Sequence, residues 1–218
     1  MLTTLLLPLL LIQAQPAKKA RDPEVKWNQA ITKIEARLKN QPFMEGGVMF
    51  AGASGATGWK LENYFPGKGY TNVAFGGSRI ADNIHFAPRI EQKYKPGKIV
   101  FFGGGNDLAS GLTPELTLKD YQTYVAAVHM SAPKCKILFI SIRPTVRRES
   151  TWATQQKANK LIEEYCAKDP RLTFLDVTND LLDKDGKVKR AMLKDDLQHP
   201  SHECYILLAA KLKDFLEK

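Results

Sequence analysis

The sequence predicts a doubly wound α/β domain, a parallel sheet with helices packed on both faces. Five short apolar runs, 48–51, 72–75, 99–102, 137–142 and 172–177, recur along the 218 residues. Continuous rather than alternating apolar runs read as strands buried on both sides. Stretches of helical period separate the runs, and the turns after the first three are rich in glycine.

The elements follow in order. Residues 1–14, MLTTLLLPLLLIQA, form an uncharged apolar stretch. It is shorter than the ~20 residues a membrane helix needs and suits the core of a secretory signal. Cleavage is expected after Ala14 or Ala17, and Pro8 argues against a buried helix here. The expected location is therefore secreted or periplasmic. Residues 15–22 read as a polar linker, and 23–218 as one domain. Trp27, Ile31, Ile34 and Leu38 recur at helical spacing between Pro23 and Asn40. The first strand is 48–51 and the second 72–75, followed by a helix over 80–94. Strand 99–102 precedes helix 114–130, strand 137–142 precedes helix 152–167, and strand 172–177 precedes a last helix over 201–216.

Composition narrows the function. The chain is 44% hydrophobic and 25% charged, ordinary for a globular domain with a sizeable core. Its net charge of +9 is spread over small clusters at 93–98, 143–148 and 184–194. With no recognisable nucleic-acid module, this reads as a basic surface suited to anionic surroundings, not as a nucleic-acid site. Cys135, Cys166 and Cys204 fit no metal spacing. One disulfide is possible after export, but three buried thiols are the preferred reading.

In an open parallel sheet, ligands bind beyond the carboxyl ends of the strands. After the first run comes Gly52-Ala53-Ser54-Gly55, after the second Gly76-Gly77-Ser78, and after the third Gly103-Gly104-Gly105-Asn106-Asp107. Asp196-Leu197-Gln198-His199 follows the fifth. Ser54 in a strand-to-helix turn exposes a hydroxyl where helix N–H groups favour an anion. The N–H groups of Ser54 and Gly77 and the Asn106 amide together make a three-donor oxyanion hole. Asp196 stands three residues before His199, close enough to orient the ring that takes the Ser54 proton. His85 and His129 fall in helices; His202 is the rival base, but no aspartate stands three positions before it.

Four blocks in this order resemble the SGNH hydrolase superfamily, also called GDSL lipases/acylhydrolases. They are GASGATGW at 52–59, NVAFGGS at 72–78, GGND at 104–107 and DLQHPSHECY at 196–205. NDLASG at 106–111 and FISIRP at 139–144 are similar to bacterial members. The resemblance implies a flavodoxin-like three-layer α/β/α sandwich with strand order 2-1-3-4-5. It carries Ser54 over as nucleophile, Gly77 and Asn106 as oxyanion donors and Asp196 and His199 as the acid–base pair, with no metal and no organic cofactor. In four places the chain departs from the family pattern, one of them Asn72-Val73-Ala74 where Asn-Arg-Gly is common. Ala53 stands where Gly-Asp-Ser has its aspartate, Asp-Leu-Gln-His replaces Asp-Gly-Leu-His, and Cys204 replaces the glycine before Tyr205.

The expected function is a serine esterase acting through an acyl-enzyme on short acyl esters, acetyl groups on carbohydrates among them. The alternative is a non-catalytic module that holds a glycan or other ligand. Trp152 beside Arg147 and Arg148, after the fourth strand, suits substrate or ligand binding in either case. Acyl transfer to an alcohol other than water would use the same residues.

Overall fold

The computed structural model describes residues 22–41 and 43–217. The apolar leader, both expected cleavage points and linker residues 15–21 lie outside the described residues. The first helix, α1 (Pro23–Asn40), starts where the side chain of Asp22 accepts the Glu24 N–H at 3.0 Å. Pro23 fills the first helical position, whose N–H has no use in the helix. The chain continues through β1 (Val48–Gly52), α2 (Ser54–Thr57), β2 (Thr71–Asn72), α3 (Ile80–Phe86) and α4 (Glu91–Tyr94). Next come β3 (Lys98–Phe102), α5 (Gly105–Ala109), α6 (Pro114–His129), β4 (Lys136–Ile140) and α7 (Trp152–Cys166). It ends with β5 (Leu172–Leu175), α8 (Thr178–Leu181) and α9 (His202–Glu217).

The strands form one parallel sheet in the expected order, β2-β1-β3-β4-β5. Successive side chains point to opposite faces, and both faces are covered. Met49, Ala51, Ile99, Phe101, Ile137 and Phe139 pack with Ile31, Ile80, Tyr124 and Ile162 from α1, α3, α6 and α7. Phe50, Val100, Phe102, Leu138 and Ile140 pack with Leu208 and Leu212 of α9. Each buried Val, Leu, Ile, Met or Phe side chain contributes about 1.5–3 kcal/mol, so the sandwich is held from both sides. Val48 lies opposite Lys98, and Lys98 opposite Lys136. The three central strands therefore finish nearly level, and the turns after them share one rim.

Several boundaries differ from the expected ones. β2 ends at Asn72, not at residue 75, because the Asn72 carboxamide Oδ1 accepts the Ala74 N–H at 3.0 Å and turns the chain. The backbone still reaches β1 through Val73 N–H to Phe50 O and Phe75 N–H to Gly52 O. The helix expected over 80–94 is two, because Pro88 removes a donor and disfavours helix at Ala87. β4 stops at Ile140: the Ile142 N–H donates to Asn159 Oδ1 at 2.7 Å and its carbonyl accepts Asn159 Nδ2–H at 2.8 Å. A side chain from α7 thus takes the place of a strand partner. Cys135, Cys166 and Cys204 are buried free thiols, and burial pushes the first two up to about 12 and about 11.

Candidate active site

Ser54 opens α2 immediately after β1. Gly52 makes the sharp exit possible: its φ is +111°, and a Cβ there would lie 2.4 Å from Phe102 O. The Ala53 N–H donates to the same carbonyl at 2.9 Å, fixing the turn to β3. Asn72 holds the other side, its Nδ2 donating to Ala56 O at 2.7 Å and Trp59 O at 3.1 Å.

His199 comes to Ser54 from 145 residues away, on the loop before α9. Its Nε2 lies 3.0 Å from Ser54 Oγ, and its Nδ1 lies 2.5 Å from Asp196 Oδ2. Asp196 Oδ1 accepts the N–H groups of His199 at 2.9 Å and Gln198 at 3.0 Å. The backbone bond from His199, then the bond to its ring and that from Gln198, hold this carboxyl well below the usual range. It is ionised at any working pH and suited to fix the Nδ1–H tautomer. His202, the rival, instead places Nδ1 2.8 Å from the Tyr64 hydroxyl. His85 meets Glu24, and His129 meets the Cys135 carbonyl.

The loop bearing Asp196 contains a local conflict. Leu197 has φ +58°, a left-handed conformation that disfavours a branched side chain. It occupies the position at which the resembled Asp-Gly-Leu-His block has glycine. The two Asp196 bonds and the Lys194 N–H to His199 O bond, 2.8 Å, span the strained residue.

Two of the expected oxyanion donors, Gly77 and Asn106, are linked through Ser78. Gly77 lies in a turn at φ +76°, and a Cβ on it would meet Trp27 of α1 at 3.2 Å. The next residue, Ser78, donates its hydroxyl to Gly52 O at 3.1 Å, tying the turn to the end of β1. Asn106 Nδ2 donates to Ser78 O at 2.8 Å, and Arg148 Nη2 donates to Asn106 Oδ1 at 2.7 Å. Both ends of the amide are thus fixed, and one Nδ2 hydrogen is left for a ligand. Asp107 is fully buried; its Oδ1 accepts the Ile80 N–H at 3.0 Å, and burial pushes its carboxyl up to about 7.

Ser54, Asn106 and His199 line a small cavity, about 60 Å³, together with Arg143, Thr145, Arg148 and Gln155. Of the three binding residues expected from sequence, Arg148 is in this wall. Arg147 is exposed and donates its backbone N–H to Leu197 O at 3.2 Å. Trp152 begins α7 half-buried, outside the cavity lining. Sequence reasoning did not single out Arg143, Thr145, Gln155, Ser78 or the Asn72 clamp. For Arg143 a signal existed: a cation directly after an apolar strand run, at the end of the sheet where ligands bind. Among the described residues no group of three or more His, Cys, Asp or Glu side chains could hold a metal ion. No helix among them is long and apolar enough to cross a membrane.

Comparison with known structures agrees with this architecture. A Streptococcus pneumonia protein provisionally described as a platelet activating factor is 23% identical, with a TM-score of 0.74 over 88% of this chain and 94% of that one. A Bacteroides fragilis protein provisionally described as an acylhydrolase is 18% identical, with a TM-score of 0.72 over 91% and 98%. A GDSL-like lipase from Bacteroides thetaiotaomicron is 20% identical, with a TM-score of 0.67 over 88% and 96%. At these identities the likeness is one of fold. No curated protein sequence matches the chain significantly. Residues 43–206, which include all four motif blocks, match the GDSL-like Lipase/Acylhydrolase family, and the chain belongs to it.

Proposed function

We propose that the chain is a serine esterase that cleaves short acyl esters through an acyl-enzyme. Family membership supports an ester-cleaving acylhydrolase in general. The observation that carries the finer reading is the unbroken contact chain Asp196 Oδ2, His199, Ser54 Oγ, at 2.5 and 3.0 Å. Ser54 Oγ attacks the ester carbonyl while its proton passes to His199 Nε2. The Asp196 carboxylate stabilises the imidazolium through Nδ1–H. The N–H groups of Ser54 and Gly77 and the free Nδ2 hydrogen of Asn106 receive the oxyanion. His199 then protonates the departing alcohol, and activates water to release the acid. A cavity of about 60 Å³ beside Ser54 suits a small acyl group, acetyl on a carbohydrate included. A hydrogen-bonded serine and base favour turnover over a module that only holds a ligand. The same reading takes residues 1–14 as an export signal, so that the domain works outside the cytoplasm.

The test is reaction with a fluorophosphonate, followed by peptide mapping. One adduct per chain on Ser54, abolished in His199→Ala, is the expected result. Labelling elsewhere with Ser54 untouched rules out this nucleophile.

A further inference from the structure

The cavity beside Ser54 has a wall the proposed reaction does not use. Arg143, Thr145 and Gln155 line it and are 8%, 6% and 1% exposed. Arg143 Nη1, Thr145 Oγ1 and Gln155 Oε1 have no hydrogen-bond partner in the protein. Arg143 Nη2 donates to Gln198 O, and Gln155 Nε2 to Thr151 Oγ1 at 2.9 Å. Arg148 adds a second guanidinium, occupied on one side by Asn106. Buried polar atoms are normally paired, and a half-paired buried guanidinium is a strong exception.

The charge in this wall is one-sided. No Asp or Glu lines the cavity, and Ala53, which does, stands where the resembled motif has an aspartate. The acids nearby lie outside the lining: Asp196 is bonded to His199, and Asp107 accepts the Ile80 N–H through Oδ1 while its carboxyl is pushed up to about 7 by burial. Two arginines therefore line the cavity with no protein carboxylate in its wall. The net charge of +9 favours the approach of an anion.

We propose that this wall is an anion subsite, in which Arg143 Nη1 and the Thr145 hydroxyl hold a carboxylate carried by the ester substrate. Gln155 Oε1 accepts from a hydroxyl of the same substrate. The proposal rests on the esterase reading and gives it a substrate class: esters with a carboxylate a few bonds from the scissile carbonyl. Arg143, Thr145 and Ser54 line the same small cavity, so few bonds separate the two groups. Arg148 stays on Asn106 and contributes its charge.

Two substrate pairs place the carboxylate on either side of the ester. Mono-4-nitrophenyl succinate against 4-nitrophenyl butyrate probes the acyl side, and 4-acetoxybenzoate against phenyl acetate the alcohol side, each above its enzyme-free rate. In at least one pair kcat/KM favours the charged ester by about tenfold, the order a charge-assisted hydrogen bond supplies. That preference collapses in Arg143→Gln and Thr145→Val and reverses in Ala53→Asp. If Arg143→Gln does not fold, because the Gln198 contact is lost, the other two variants decide. Binding is read separately, by calorimetric titration of Ser54→Ala with sodium succinate and with neutral succinamide. Saturable binding of succinate alone, lost on adding Ala53→Asp, is expected. Succinate binding with no turnover of any ester sinks the esterase reading and leaves the subsite standing. Equal turnover within both pairs and no succinate binding overturns the subsite and leaves the esterase standing.

Discussion

A serine hydroxyl, an imidazole and a carboxylate are unremarkable alone; at 3.0 and 2.5 Å they are spaced for the proposed proton path, with a fixed direction. Asp196 sets that direction, so Asp196→Asn, which keeps the shape and inverts the tautomer preference, should lower kcat by about 10³–10⁴. An unchanged kcat in that variant would place the orienting group elsewhere. Asn106→Ala removes one oxyanion donor and should lower kcat by about 10²–10³ with little change in KM; a loss confined to KM would mean the amide only binds substrate. Much of this candidate site was legible in the sequence, because each member lies in the turn after an apolar run or, for Asp196 and His199, within one turn of its partner. Thr145 and Gln155 were not, and Arg143 only through its place directly after a strand run. Their proximity to Ser54 depends on how the segment after β4 and the start of α7 fold back over the rim, and spacing along the chain does not encode it.

At the scale of elements, two groups carry strain or burial that a small substitution relieves. Leu197 holds a left-handed conformation, φ +58°, under the hydrogen bonds of the Asp196 loop. Leu197→Gly should raise stability by up to about 1 kcal/mol, read as a higher Tm, because the left-handed penalty exceeds the entropy glycine adds to the unfolded chain. A lower Tm would mean that the leucine side chain packs more than its backbone suffers. Glu91, at the start of α4, is buried, and its Oε1 accepts the Tyr124 hydroxyl at 2.8 Å. Burial pushes its carboxyl up from 4.5 to about 7. The folded state then holds this proton where the unfolded chain has released it, so stability is full below about pH 4.5 and drains away as pH rises to about 7. Glu91→Gln keeps the acceptor and removes the titration; its Tm advantage over the parent should grow from pH 5 to pH 8. An advantage that does not change with pH would contradict the raised value. The strand runs, the helices after them and the sheet order were readable from period and motif. The early ends of β2 and β4 were not, because single carboxamides, Asn72 and Asn159, compete with the ladder for backbone bonds.

For the molecule as a whole, the two-sided core carries the fold without covalent links. Phe101 and Phe139 stack with centroids 5.8 Å apart within one of its two faces. The three thiols are buried and free, so reductant should leave Tm unchanged, and a thiol reagent should modify three cysteines only after denaturation. A reductant-sensitive Tm would reveal a bridge. The level ends of β1, β3 and β4 bring the turns after them to one rim, beside a cavity whose lining carries two guanidiniums and no acid. What this architecture is for is decided by hydrolysis of 4-nitrophenyl acetate by the folded parent, Ser54→Ala and His199→Ala. Turnover in the parent, reduced by at least about 10³ in both variants, is predicted. Parental rates in a folded Ser54→Ala, or a folded parent inert toward this activated ester, would contradict a serine esterase centred on Ser54.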